Sequence, residues 1–240
     1  MLLAFAALIA LQHGQLPHWE YQGTHGPEYW GTLDKAYSAC VSGKQQSPIN
    51  ISRVKPAPLP ALAFDYKRSP LRIIDNGHTI QVNYAPGSFF TFGDQRYELQ
   101  QFHFHHPAEE RVDGKAYPMV AHLVHKNAAG KIAVVAVLLS QGNASAFLER
   151  LWSYVPKEKG QEVSPQGVSI DLNELLPPTR GYFTFAGSLT TPPCSEGVTW
   201  FVLKQPVPAS KEAIEVFAEK YPHNARPLQP MNGRVILETQ

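Results

Sequence analysis

The sequence predicts a mainly β fold with peripheral helices, a single domain around a large, largely antiparallel twisted sheet. Three observations predict it. Short apolar–polar alternations recur along the chain at the period of a strand, and helical periodicity is confined to two segments. The 21 prolines and 17 glycines are spread along the chain and read as many turns rather than one linker. At 240 residues, with no break in composition, one large domain accounts for the whole chain.

The elements follow in order. Leu2–Leu11 is an unbroken apolar run. It is too short for a membrane-spanning helix of about 20 residues and suits the hydrophobic region of a secretory signal. No Lys or Arg precedes it and no small-x-small cleavage site follows, which leaves a start-site artefact as the alternative. Residues 1–16 are expected to be a leader, with 17–240 the folded domain and the protein exported, periplasmic or secreted. Pro56–Pro60 reads as an extended, peripheral stretch. Strands are expected at Leu71–Ile74, Thr79–Tyr84, Phe89–Phe92, Tyr97–His105, Val120–His125, Ile132–Leu139, Tyr182–Gly187 and Val198–Leu203. Ser145–Val155 is amphipathic, and so is Lys211–Lys220, which Ser210 can cap.

Composition narrows the partners. Charged residues are 17% of the chain and apolar residues 43%, which excludes disorder and a coiled coil as the main state. Lys plus Arg is 21 against 20 acidic residues, a net charge of +1, so there is no field to hold nucleic acid or an anionic membrane. Cys40 and Cys194 are the only cysteines. They are either two buried thiols or, in an exported chain, one long-range disulfide.

The segment Gln101-Phe102-His103-Phe104-His105-His106 carries the chemistry. On a strand, Gln101, His103 and His105 share one face, and Phe102 and Phe104 the other. Two imidazoles at that spacing are about 6.6 Å apart and can reach one ion between them. In Val120–His125, His122 shares a face with Val120 and Val124. The Asp113-Gly114 turn signal makes this strand an antiparallel neighbour, which would bring His122 to the other two. Three neutral imidazoles suit zinc with a fourth position open. The alternative from spacing alone is a set of core or surface histidines. His106 and His125 fall on the opposite face and are expected not to be ligands.

These residues, with others in the same order, resemble the alpha-class carbonic anhydrases. The matching segments are Gln46–Ile51, Asn76-Gly77-His78, Gln101–His105 with His122, Gly187–Cys194, and Asn224 with Arg226 and Pro227. The resemblance runs from about His18 to Leu237. It implies reversible, zinc-dependent hydration of carbon dioxide to bicarbonate and a proton, with His103, His105 and His122 as the Zn2+ ligands. Thr190 and Glu109 match the pair that orients the nucleophile, and Thr191 would help place bicarbonate. Taken locally, Glu109 in Glu109-Glu110-Arg111 reads instead as a solvated charge. Val124, Ile132, Val134, Leu189, Val198 and Trp200 match the apolar wall that receives CO2. His78 matches the proton shuttle, with Tyr21, Asn76 and Gln81 ordering the waters. Gln101 would hold the second nitrogen of His103, and the backbone oxygen of Asn224 that of His105. Cys40 and Cys194 align with positions paired in secreted members.

Two positions depart from the well-known animal enzymes of the family. Those carry a glutamate two residues before the third histidine, where this chain has Val120. Valine accepts no hydrogen bond, so some other group must orient His122 or zinc binding is weaker. Phe185 stands where those enzymes have a tyrosine. The competing functions are a non-catalytic binding module of the same fold, which typically lacks a zinc histidine, and a zinc hydrolase acting mainly on esters. The partners expected are the small-molecule substrate and, compatibly, a second copy of the chain in a homodimer. No nucleic acid and no membrane span in the mature chain are expected. Asn50-Ile51-Ser52 and Asn143-Ala144-Ser145 are glycosylation sequons, meaningful only in a eukaryotic secretory route.

Overall fold

Alternation along the strands is what builds the molecule. The computed structural model describes residues 17–240, so the expected leader lies outside the described residues. Ten strands, in chain order, form the spine of the sheet: β1 (Lys55–Ala57), β2 (Ile73–Asp75), β3 (Ile80–Asn83), β4 (Gln95–His105), β5 (Met119–Asn127), β6 (Ile132–Gln141), β7 (Glu162–Val163), β8 (Tyr182–Ser188), β9 (Glu196–Leu203) and β10 (Leu237–Thr239). Their spatial order is β7-β2-β3-β4-β5-β6-β9-β8-β10-β1 within a sheet of 13 strands. Most pairs are antiparallel, as expected. The sheet is nonetheless mixed, because β6 runs parallel to β9, and β10 parallel to β1.

On β5, Met119, Ala121 and Leu123 enter a large core on one face, while Val120 joins a smaller apolar cluster on the other. On β6, Ala133, Val135, Val137 and Leu139 face the large core and Val134, Ala136 and Leu138 the small one. Both faces of these central strands are covered, which is why Ile132–Leu139 reads as a continuous apolar run rather than an alternation.

Two helices close the large core. In α1 (Ala146–Trp152), Phe147, Leu148, Leu151 and Trp152 are buried, and in α2 (Lys211–Lys220), Ala213, Ile214 and Phe217 are. Each begins at a serine whose side chain accepts a backbone N–H, Ser145 from Leu148 and Ser210 from Ala213. Such a cap contributes about 1 kcal/mol. Phe104 meets Trp152 and Phe217 at ring-centroid distances of 4.9 and 6.0 Å, so the helices lie behind the histidine strand. Two single-turn helices, Trp30–Leu33 and Ala39–Ser42, lie at the N-terminal end. The latter carries Cys40, which is disulfide-bonded to Cys194 beside buried Trp30 and Tyr37.

Candidate active site

His103 and His105 come from β4 and His122 from β5. The antiparallel register sets His122 directly opposite His103. One ring nitrogen from each lies within 4.8 Å of the others. The remaining nitrogen of each ring is held by an oxygen. Nδ1 of His103 donates to Oε1 of Gln101 at 2.8 Å, and Nδ1 of His105 to the backbone oxygen of Asn224 at 2.7 Å. Nε2 of His122 meets the two carboxylate oxygens of Glu110 at 3.0 and 3.3 Å. These bonds fix which nitrogen each ring turns inward.

Of the two alternatives that Val120 left open, the structure shows the first, another acceptor for His122. Val120 packs in the apolar cluster, and Glu110, completely buried, takes over the bond. The local reading of Glu109-Glu110-Arg111 as solvated charge fails for both glutamates, which are 3% and 0% exposed.

Electrostatics separates the three rings. Burial, reinforced by the neighbouring His122, holds His103 down to about 3 and His105 well below the ordinary histidine value. Both are neutral at physiological pH, with lone pairs free. At His122 burial pushes the same way, but the charge and hydrogen bond of Glu110, with the charge of Glu109, outweigh it and raise the pKa. Burial also raises Glu109, to about 7; His122, the Arg226 amide and the Thr190 hydroxyl pull the other way, and Glu110 adds to the rise. Oε1 of Glu109 accepts the Arg226 amide at 2.8 Å, while Oε2 sits 3.5 Å from Nε2 of His105 and 3.8 Å from Nδ1 of His122. Arg226 is itself anchored, donating to Oε1 of Gln46 and to the carbonyls of Ser47 and Cys40.

His103 and His105 open into a cavity of about 130 Å³ whose lining includes Tyr21, Asn76, His78, Gln81, Gln101 and Thr191. The Asn76 side chain accepts the amides of His78 and Thr79 and donates to Gln81. This local turn aims the His78 ring into the mouth. There it stacks on Trp19, with centroids 3.7 Å apart and planes at 8°. Thr190 is buried. Val134, Val198 and Trp200 form part of the small apolar cluster, and Val124, Ile132 and Leu189 pack against it. Trp200 reaches His122 edge to face at 4.9 Å, which joins the apolar wall to the histidines. Phe185 lies parallel to Trp200 in the same cluster.

His106 is half-buried and bonded to the Pro222 carbonyl; His125 is buried in the opposite core against Tyr66. Neither belongs to the converging trio. Sequence reasoning missed Glu110 and Trp19. The acidic doublet before a strand was the signal available for the first; the second had none.

The model of the eukaryotic-type carbonic anhydrase family matches residues 25–240. A carbonic anhydrase of Klebsiella pneumoniae is 44% identical over 243 residues, covering 98% of each chain. A hyperthermostable carbonic anhydrase from a hydrothermal vent chimney superposes with a TM-score of 0.90 at 42% identity, covering 93% of this chain and 100% of the other. The alpha carbonic anhydrase of Thermovibrio ammonificans, solved with sulfanilamide, gives 0.88 at 42% identity over 92% and 98%. The chain belongs to the alpha, eukaryotic-type carbonic anhydrase family.

Proposed function

We propose that this chain catalyses the reversible hydration of CO2 to bicarbonate and a proton, with a zinc ion held by His103, His105 and His122. The observation that carries it is the trio itself: three rings, each tethered by one nitrogen, converge with the other. The inward Nε2 of His105 is buried with no hydrogen-bond partner in the protein, as a metal ligand requires. Three neutral imidazoles fit zinc with one open position. In carbonic anhydrases zinc supplies one thing, a bound water acidic enough to give hydroxide near neutral pH.

The rest is the work of the chain. Thr190, with its hydroxyl toward Glu109, turns an oxygen lone pair to the nucleophile and fixes its orientation. CO2 carries no charge, so it is received by the apolar side of the site, Val124, Ile132, Val134, Leu189, Val198 and Trp200. Thr191 places bicarbonate at the cavity wall. His78 takes a proton from cavity water and passes it to buffer, with Tyr21, Asn76 and Gln81 ordering the path. Residues 17–240 act as the catalytic domain, and the protein is exported, periplasmic or secreted. The Cys40–Cys194 disulfide supports export, because such bonds persist in oxidising compartments. Among the described residues no helix is long and apolar enough to cross a membrane.

Metal analysis with stopped-flow CO2 hydration tests the reading. One zinc per chain is expected, with hydration abolished by chelation and restored by zinc, and both lost in His105→Ala. Full hydration by protein shown to be free of metal would sink it.

A further inference from the structure

Residues 120 and 122 lie on the same face of β5, so a carboxylate at 120 would stand beside the outer nitrogen of His122. That place is filled by Val120, fully buried in the cluster that holds Ala108 and Tyr117. The carboxylate comes instead from the loop leading into β5. Both oxygens of Glu110 converge on the one N–H of His122. The loop backbone is pinned on either side: the Ala108 amide bonds to the Tyr117 carbonyl at 3.1 Å, and Arg111–Val112 pairs in parallel with Asn50–Ile51. Glu110 is thus delivered from a rigid point.

We propose that Glu110 is a positioning residue of the metal centre, which takes from the loop side the place of an acceptor on the strand, with Val120 as its obligate apolar complement. The inference rests on the zinc reading above. The physical reason for the exchange is charge. Glu109 already lies 3.8 Å from Nδ1 of His122. A third carboxylate at 120 would compete with Glu110 for a single N–H in a dry site, and an unpaired buried charge is strongly destabilising. One acceptor is needed and one is present. It keeps the His122 proton on Nε2, frees Nδ1 for the metal and strengthens the ring as a ligand.

Zinc release into a competing chelator, with zinc per chain counted beforehand, tests this on the full chain. Glu110→Ala is expected to release zinc roughly 10–100-fold faster, the usual consequence of losing such a partner. Glu110→Gln, which keeps an oxygen acceptor but no charge, should fall between. Val120→Glu alone should not slow release. The double variant Glu110→Ala with Val120→Glu should return release to within a few-fold of the parent, a rescue that a merely space-filling Glu110 would not allow. Should Glu110→Ala fail to fold, Glu110→Gln carries the comparison at unchanged size. Parental release rates in both Glu110 variants overturn the proposal, as does slower release in Val120→Glu alone or a double variant no better than Glu110→Ala. Failure of the underlying zinc reading has a different signature, a parent that binds no zinc.

Discussion

His78 lies in the cavity mouth on the face of Trp19, and its titration reflects that place. Burial lowers its pKa; Glu20 raises it, and His18 and Lys159 lower it further, leaving it below the ordinary value of 6.5. The ring is therefore mostly neutral at neutral pH and ready to accept a proton, and a weakly basic imidazole gives that proton up quickly to buffer. His78→Ala should lower kcat far more than kcat/KM, because proton export follows the CO2 step. Added imidazole should restore part of kcat. Steady-state kinetics at several buffer concentrations make the check, and an equal fall in both parameters would assign His78 a structural role. At this scale the sequence shows residues whose partners are near in the chain. Asn76-Gly77-His78 is legible because the Asn76 side chain caps its own turn. Glu110 is not, because its partner His122 becomes adjacent only after β4 and β5 pair.

The element that presents Thr190 and Thr191 is the loop between β8 and β9, and its far end is tied down. Cys194 is disulfide-bonded to Cys40 across a separation of 154 residues. Its carbonyl accepts from Gln46, which in turn accepts from Arg226, and the Arg226 amide holds Glu109. The three histidines, by contrast, are on strands β4 and β5, which pair with each other and not with the loop. Reduction, or Cys40→Ala with Cys194→Ala, should therefore lower stability by about 5 kcal/mol in the chain-entropy account, and lower kcat/KM, while zinc stays bound. Urea unfolding with and without reductant, alongside metal analysis, reads this out; an unchanged midpoint would show that the bond constrains little. The strands themselves were largely legible. Phe89–Phe92 and Lys211–Lys220 have the expected ends, while β4 starts two residues early and β5 and β6 run two residues late. What alternation hides is a change of phase. In β4, Tyr97 and Leu99 enter the same core as Phe102 and Phe104, so the apolar positions slip by one, and the register breaks there with a bulge opposite Val124/His125. Gln101 lies on the histidine side of the slip, so unbroken alternation keeps it on the face of His103 and His105. The single-turn helices Trp30–Leu33 and Ala39–Ser42 were missed because four residues carry no helical period.

At the scale of the whole molecule, a sheet covered on both faces holds its histidines neutral, and acid stability follows. Burial keeps His125 and His103 at about 3 and His105 well below 6.5. In metal-free protein between about pH 6.5 and 3 the unfolded chain therefore binds more protons at these sites than the folded one. Stability is full above the unfolded value and declines as pH falls, by about 1.4 kcal/mol per pH unit for each such group. Glu109 works the other way. Raised to about 7, it is protonated in the folded state and ionised in the unfolded one between 4.5 and 7, which offsets roughly one histidine there. The net expectation is a moderate decline from pH 6.5 to 4.5 that steepens below. His125 isolates one contribution away from the metal. It sits in the large core, edge to face with Phe90, its Nε2 paired with the hydroxyl of buried Tyr66. His125→Phe combined with Tyr66→Phe removes the titrating ring without orphaning the phenol. Denaturant unfolding of the chelated proteins from pH 7 to 4 should give a slope shallower by about 1.4 kcal/mol per pH unit in the double variant. Identical slopes would mean that His125 takes up its proton in the folded state as readily as in the unfolded one, and that burial in this core does not hold it neutral.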